Sequence, residues 1–469
     1  MQRLEGLDSS FLYLESEATP MHVGMTCVFD PSTAPGGYTF GGLRRLVEDR
    51  LPLLTPFRRR LVEMPGHMHR PVWVDDPGFE LDAHLHRATL PAPGGACDLE
   101  EFSADVLSRP LDRSRPLWEM HVLEGLEGGM VGAVTKVHHA AIDGVSGAEL
   151  TANLLDAEPD PERVPLESQW EPDPVPSRLA LARDAVWDLF RLPMATAAGL
   201  ARTAAAAVRL RRHNREHASR PPAPFDAPRT RCNGPVTGRR HVAFTQTDLR
   251  EVRAVAKAAG VTVNDVILAV CAGALRGHLE DHGGHPDPPL VAGVPVSVRT
   301  ADDRGTMGNR LSAMLVDLAT DVDDPVTRLG TIAAGSRAAK AQDRVLGPET
   351  VSRLADVTPA PVLAAMGGLE SRLGLTARMP PVCNLIVSNF PGPSVPLYCA
   401  GARMTAAYPM GPLALGTGLN VTVQSYLDTL WFGIVSCPDT VPDPPALPAR
   451  LAGAFHDLAE PVGVRAGRA

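Results

Sequence analysis

Apolar positions along this chain change period, and the changes mark its elements. Leu43, Leu46, Val47 and Leu51 recur at helical spacing, which predicts a helix with one apolar face. Residues 117–123 and 130–137 are short apolar runs separated by Gly125-Leu126-Glu127-Gly128-Gly129. They predict two strands joined by a tight turn. Further on, Leu249, Val252 and Val255 predict a helix capped by Thr247 and stopped by Gly260. Thr262-x-x-Asp265 is a capping box that opens a second helix, running from Val263 to about Glu280. Gly283-Gly284-His285-Pro286 ends that helix, and Asp324-Pro325 starts another with proline at its first position. Strands are expected at 290–299, 382–388 and 419–426. Strands interleaved with helices predict an α/β protein. No repeat of solenoid period is visible.

Two stretches break this alternation. Between Asp156 and Asp173, Glu158-Pro159-Asp160-Pro161-Glu162 and Glu171-Pro172-Asp173-Pro174 read as a stiff, solvated linker. Residues 177–220 then carry nine arginines against Asp184, Asp188 and Glu216. Leu179, Ala182, Val186 and Leu189 share one helical face, Pro193 breaks the pattern, and an alanine-rich helix runs on to Leu210. Two readings stand: a helix packed between domains with a solvated arginine face, or a cationic helix lying in a membrane interface. The chain thus divides into 1–155, a linker and basic segment at 156–222, and 223–469.

Composition narrows the class. The 469 residues are 44% hydrophobic and 21% charged, with a net charge of −9, which fits a folded chain with a large core. A basic excess suited to nucleic acid is missing. Seven scattered cysteines form no C-x-x-C pair, which points to reduced thiols in the cytoplasm. No apolar run reaches the ~18 residues of a membrane span, and no signal sequence opens the chain. Contact with a membrane would be peripheral.

The chemistry gathers at Lys136-Val137-His138-His139-Ala140-Ala141-Ile142-Asp143-Gly144. Two histidines stand where a buried strand runs out. A histidine there suits general-base work because its pKa lies near neutral. Adjacent strand residues face opposite ways, so only one of the pair can enter a given cleft. A metal reading fails on the same divergence, and no H-E-x-x-H or cysteine partner is present. No G-x-S-x-G elbow, P-loop or dinucleotide fingerprint occurs.

His-His-x-x-x-Asp-Gly resembles the motif of the bacterial wax ester synthase/acyl-CoA:diacylglycerol acyltransferases, part of the superfamily of CoA-dependent acyltransferases. Arg115-Pro116-Leu117-Trp118-Glu119, Val263-Asn264-Asp265-Val266, Val294-Pro295-Val296-Ser297-Val298-Arg299, Gly308-Asn309 and Ser388-Asn389-Phe390-Pro391-Gly392-Pro393 follow in family order. Asp8-Ser9-Ser10-Phe11-Leu12 and Pro20-Met21-His22-Val23-Gly24 resemble the family opening. The resemblance implies two chloramphenicol-acetyltransferase-like domains of mixed sheets and helices, with an active-site channel between them. It implies His139 as the base, while His138 keeps a packing role. Asp143 would pair with an arginine, with Arg299 as one candidate, and hold the loop; Gly144 would allow its turn. Asn264 has two readings, a helix-start residue or an oxyanion donor, and Asp265 supports the helix start. Ser388 and Asn389 are either a structural turn or the lining of the CoA channel.

The function so implied is transfer of a fatty acyl group from acyl-CoA to diacylglycerol or a long-chain alcohol. No metal or cofactor beyond the co-substrate acyl-CoA is expected. The protein would sit peripherally on the inner membrane face or on lipid droplets. Two rivals remain: an acyltransferase for a secondary-metabolite alcohol or polyketide diol, and a catalytically silent lipid-binding protein.

Overall fold

A computed structural model describes residues 2–64, 69–142, 150–161, isolated positions between 177 and 215, and then 220–284, 286–297, 311–347, 355–356, 358–374 and 378–464. The first half runs β1 (Gln2–Arg3), α1 (Gly6–Leu14), β2 (His22–Asp30), α2 (Phe40–Arg50), α3 (Thr55–Arg58), β3 (Arg59–Val62), β4 (Val72–Asp75), β5 (Leu85–Thr89), α4 (Ala96–Ser108), β6 (Trp118–Glu124) and β7 (Val131–His138). The second half runs β8 (His241–Asp248), α5 (Leu249–Ala259), α6 (Val263–Asp281), β9 (Val291–Ser297), β10 (Leu311–Asp317), α7 (Pro325–Leu346), α8 (Ala360–Leu373), β11 (Leu385–Phe390), β12 (Tyr398–Cys399), β13 (Ala402–Met410), β14 (Leu419–Tyr426), β15 (Thr429–Ser436) and α9 (Leu447–Ala459).

Among the described residues these strands form two mixed six-stranded sheets and a small three-stranded one, β1-β4-β3. The first large sheet has the order β12-β13-β2-β7-β6-β5, and the second has β10-β9-β11-β14-β15-β8. One strand ignores the boundary near 222. β13 pairs antiparallel with β2, Ala407 opposite Cys27, and so joins the first sheet from far along the chain. Its partner β12 bonds both ways with Asp156, which is buried and ion-paired to Arg50. The start of the acidic linker is therefore pinned to the first sheet rather than solvated, because Asp156 finds backbone partners and a cation there.

Local chemistry explains the element ends. The Thr262 hydroxyl accepts from the Asp265 N–H at 3.3 Å, and the Asp265 carboxylate accepts from the Thr262 N–H at 2.9 Å, so α6 opens on the expected reciprocal cap. α5 is capped by Asp248, not Thr247. Thr247 stays in the ladder opposite Leu430, and the Asp248 carboxylate accepts from the Arg250 N–H at 2.7 Å. Gly260 ends α5 at φ 66°, a conformation that a side chain would strain. β11 starts at Leu385, three residues later than expected. Asn384 meets Val291 through its own amide, its Oδ1 accepting from the Val291 N–H at 2.8 Å. The two large sheets also touch, the Phe244 ring of β8 stacking on Tyr408 of β13 at 4.3 Å, and the halves meet where the Phe244 N–H donates to Glu100 on α4 at 2.7 Å.

Candidate active site

β7 places the two histidines differently. His138 is its last residue, paired with His22 on β2, and is 1% exposed. His139 has left the ladder. Its N–H donates to the Met21 carbonyl at 2.7 Å, and a turn closes behind it where Ala141 N–H meets the His138 carbonyl at 2.9 Å. Its ring is half-buried and stacks on Phe11 of α1, centroids 4.2 Å apart. The aromatic floor fixes the ring plane.

His138 faces a buried polar cluster. Its Nδ1 accepts from the Ala140 N–H at 3.0 Å, which ties the turn that carries His139. Its Nε2 and that of His22 each approach Glu15 Oε1 at 3.4 Å. The angles make these close approaches rather than well-formed hydrogen bonds, since neither nitrogen has a bonded partner by geometry. Arg113 completes the cluster, its Nη2 donating to Glu15 Oε2 at 2.6 Å. Burial alone would raise the Glu15 carboxyl. The His138 and His22 rings and the Arg113 charge outweigh it and hold Glu15 well below the usual carboxylate range. His22 is pushed down to about 4, chiefly by burial, with Glu15 opposing.

Two residues before His138, on the same face of β7, Lys136 is fully buried. Its Nζ donates to the Val106 carbonyl at 2.9 Å and the Arg109 carbonyl at 2.8 Å. It thus answers the unpaired carbonyls and negative end of α4. Glu119, opposite on β6, lies 3.3 Å away and neutralises it. Burial would raise Glu119, but His121 and Lys136 outweigh it and hold the group down to about 2. His86, Glu119 and His121 bring their ligand atoms within 4.8 Å, the one such grouping among the described residues. Its carboxylate already serves Lys136, so the group reads as the charge balance of a buried lysine.

The remaining sequence candidates are placed by the second half. Asn264 is half-buried at the second position of α6. Asp265 is buried, one oxygen in the cap and the other, Oδ1, without a hydrogen-bond partner. Ser388 and Asn389 are half-buried on β11, opposite Thr422 and Val423 of β14. Asp143, Gly144, Arg299, Gly308 and Asn309 lie outside the described residues. So does most of the basic segment; of the positions described there, Val208–Arg212 are helical, and Arg209 Nε donates to the Val345 carbonyl at 3.4 Å. Sequence reasoning gave no role to Glu15, His22, Arg113 or Lys136. A lysine on the covered face of a buried strand, two positions from a histidine, was the available sign.

Comparison with known proteins adds an independent line. Residues 4–267 match the model of the wax ester synthase/diacylglycerol acyltransferase catalytic domain, and 307–459 match the C-terminal domain of the same family. A candidate diacylglycerol O-acyltransferase of Mycobacterium tuberculosis is 40% identical over 94% of this chain and 87% of its own length. A second from that organism is 36% identical over 97% and 98%. The solved wax ester synthase/diacylglycerol acyltransferase from Marinobacter aquaeolei VT8 is 30% identical, covers 99% of this chain and all of its own, and superposes with a TM-score of 0.70. The first condensation domain of the CDA synthetase shares the fold alone, at 17% identity and a TM-score of 0.58 over 100% of this chain and 99% of that one.

Proposed function

The chain belongs to the wax ester synthase/diacylglycerol acyltransferase family, and from that premise we propose that it moves a fatty acyl group from acyl-CoA to the hydroxyl of diacylglycerol or a long-chain alcohol. The products are triacylglycerol or wax ester and free CoA. His139 takes the hydroxyl proton as the oxygen attacks the thioester carbonyl, and returns it to the CoA sulfur as the tetrahedral intermediate collapses. The observation that carries this assignment is the contrast between neighbours. His138 is buried against Glu15, whereas His139 stands clear of the strand on an aromatic floor, half-buried.

Around that base, Asn264 donates to the developing oxyanion, Asp143 and Gly144 hold the loop after His139, and Ser388 and Asn389 line the acyl-CoA path between the two domains. Acyl-CoA enters as a co-substrate, and the mechanism calls on no metal or further cofactor. The protein works peripherally at a cytoplasmic lipid surface, an inner membrane face or a lipid droplet, with the arginines of 177–220 drawn to anionic headgroups. Among the described residues no single helix is long and apolar enough to cross a membrane; the one bent pair that would qualify by composition, α5 with α6, includes the largely buried core helix α6.

An acceptor panel tests the reading. Purified protein with palmitoyl-CoA receives diacylglycerol, monoacylglycerol or hexadecanol, and both CoA release and lipid products are followed. Ester formation with one of them is expected. CoA release with none would favour a silent lipid-binding protein.

A further inference from the structure

α8 shows water a face that a soluble helix would not. Val362 is 45% exposed, Met366 54%, Leu369 48% and Leu373 48%. Their spacing puts them on one side of the helix. Every exposed position described from Pro361 to Leu369 is uncharged. The opposite side is buried through Ala360 and Leu363, so from Ala360 to Leu369 the helix is apolar all round, with Glu370 and Arg372 confined to its last turn, the pattern of a helix covered on both sides. Just beyond its C-terminal end Met379 is 46% exposed and Val382 45%. Arg378 is exposed beside them, and Arg229, also exposed, donates to the Met379 carbonyl at 2.8 Å. An exposed apolar helix face, with further exposed apolar and cationic residues close after it in sequence, suits a layer whose interior is hydrocarbon and whose surface carries phosphate.

The inner side of the same helix leads to the chemistry. α8 packs on α1 so closely that a Cβ on Gly367 would collide with the Tyr13 carbonyl. The N–H of Gly6, at the start of α1, donates to Asp356 Oδ1, just before α8, at 2.8 Å. α1 in turn holds Phe11 against His139. A single helix therefore separates the exposed apolar face from the proposed base.

The geometry points to α8 as the element by which this protein seats on the surface of a lipid bilayer or monolayer, its outer face sinking among acyl chains and Arg378 and Arg229 meeting headgroup phosphates. This rests on the reading of the chain as an acyltransferase for lipid substrates, and it adds an apolar contact distinct from the electrostatic one proposed for the 177–220 segment. The two are separable by physics. Apolar insertion works on zwitterionic lipid and survives salt, whereas arginine attraction needs anionic lipid and is screened within ~10 Å at 0.1 M salt.

The test uses full-length wild type and the double variant Met366→Glu/Leu369→Glu, floated with phosphatidylcholine vesicles containing diolein at low and high salt. Wild type should float at both salt levels, and the variant should bind at least ~10-fold more weakly. CoA release with a short, water-soluble alcohol should be the same for both proteins, while transfer to vesicle-borne diolein should fall in the variant. Wild type that fails to float, or a variant that floats as wild type does, overturns the assignment. So does a wild-type dimer that the variant breaks in light scattering with flotation unchanged, which would make the face a contact between copies. Absence of CoA release from wild type with soluble and vesicle-borne acceptors alike would instead strike the acyltransferase reading, whatever the flotation shows.

Discussion

The two six-stranded sheets are covered in opposite ways. The face of the first sheet beneath α4 bears His22, Glu119, Lys136 and His138, with Glu15 and Arg113 closing over its end. The second sheet packs on α6, whose buried residues between Asp265 and His278 are all apolar. Burying charge costs several kcal/mol per ion unless it is paired, so the first sheet gives up stability that the second keeps. What it gains is position. The His138 ring ties its turn through the Ala140 N–H, and His139 projects from that turn.

The largest expected effect strips the chemistry from the first sheet without touching its cluster. His139→Ala should lower CoA release about a hundredfold or more while thermal melting stays near wild type. Full activity in that variant would end the assignment. Next comes the cluster itself. Glu15→Ala removes the carboxylate that Arg113 and the two imidazoles share, while Arg113 keeps Glu63 at 3.6 Å and the Leu12 carbonyl, and should cost about 1–3 kcal/mol, read in urea unfolding, together with activity. A Glu15→Ala protein that unfolds like wild type would erase the contrast between the sheets.

Acid should separate them as well. In the folded chain His22 titrates at about 4, against ~6.5 when unfolded. Between these values the unfolded chain binds the proton and the folded chain does not. Stability is therefore full above ~6.5 and falls as pH drops toward 4, by up to about 3 kcal/mol. Glu15 and Glu119, both held below their ordinary range, add a loss that begins only below ~4.5. Melting temperature followed against pH should decline through the first window, and His22→Gln should make that decline shallower, the remainder belonging to His84, His86, His241 and His278, which burial also lowers. The smallest effects belong to the second sheet's helix. Ile267→Val and Thr262→Ala should each cost about 1 kcal/mol without moving the pH profile.

How far the sequence carried depended on whether a feature was local. The α6 cap was legible because Thr262 and Asp265 complete it within four residues. The β6–β7 pair was legible because its turn lies between its strands. The family motif placed both histidines, and strand alternation already separated their directions. The Glu15–His22–His138–Arg113 cluster was not legible, since it draws on α1, β2, β7 and the loop after α4, and no spacing records their meeting. Nor was β13, which no strand expected from the sequence covers and whose partner lies far away in the chain. Cap geometry misled by one residue at Asp248, because Thr247 was already claimed by a ladder with Leu430, far away in sequence.

That same strand sets a timetable for synthesis. The first sheet cannot close until residue 410 has left the ribosome, although β2 and β7 emerge within the first 138 residues. At roughly 5–20 residues per second the wait is about a quarter of a minute to a minute. Throughout it β2 offers an open edge of unpaired backbone beside the histidine pair, a template for any other nascent strand. Early release of the chain, or a stop codon before Ala402, would leave that edge permanently uncovered. Such fragments should accumulate as aggregates or chaperone clients rather than as a smaller working enzyme.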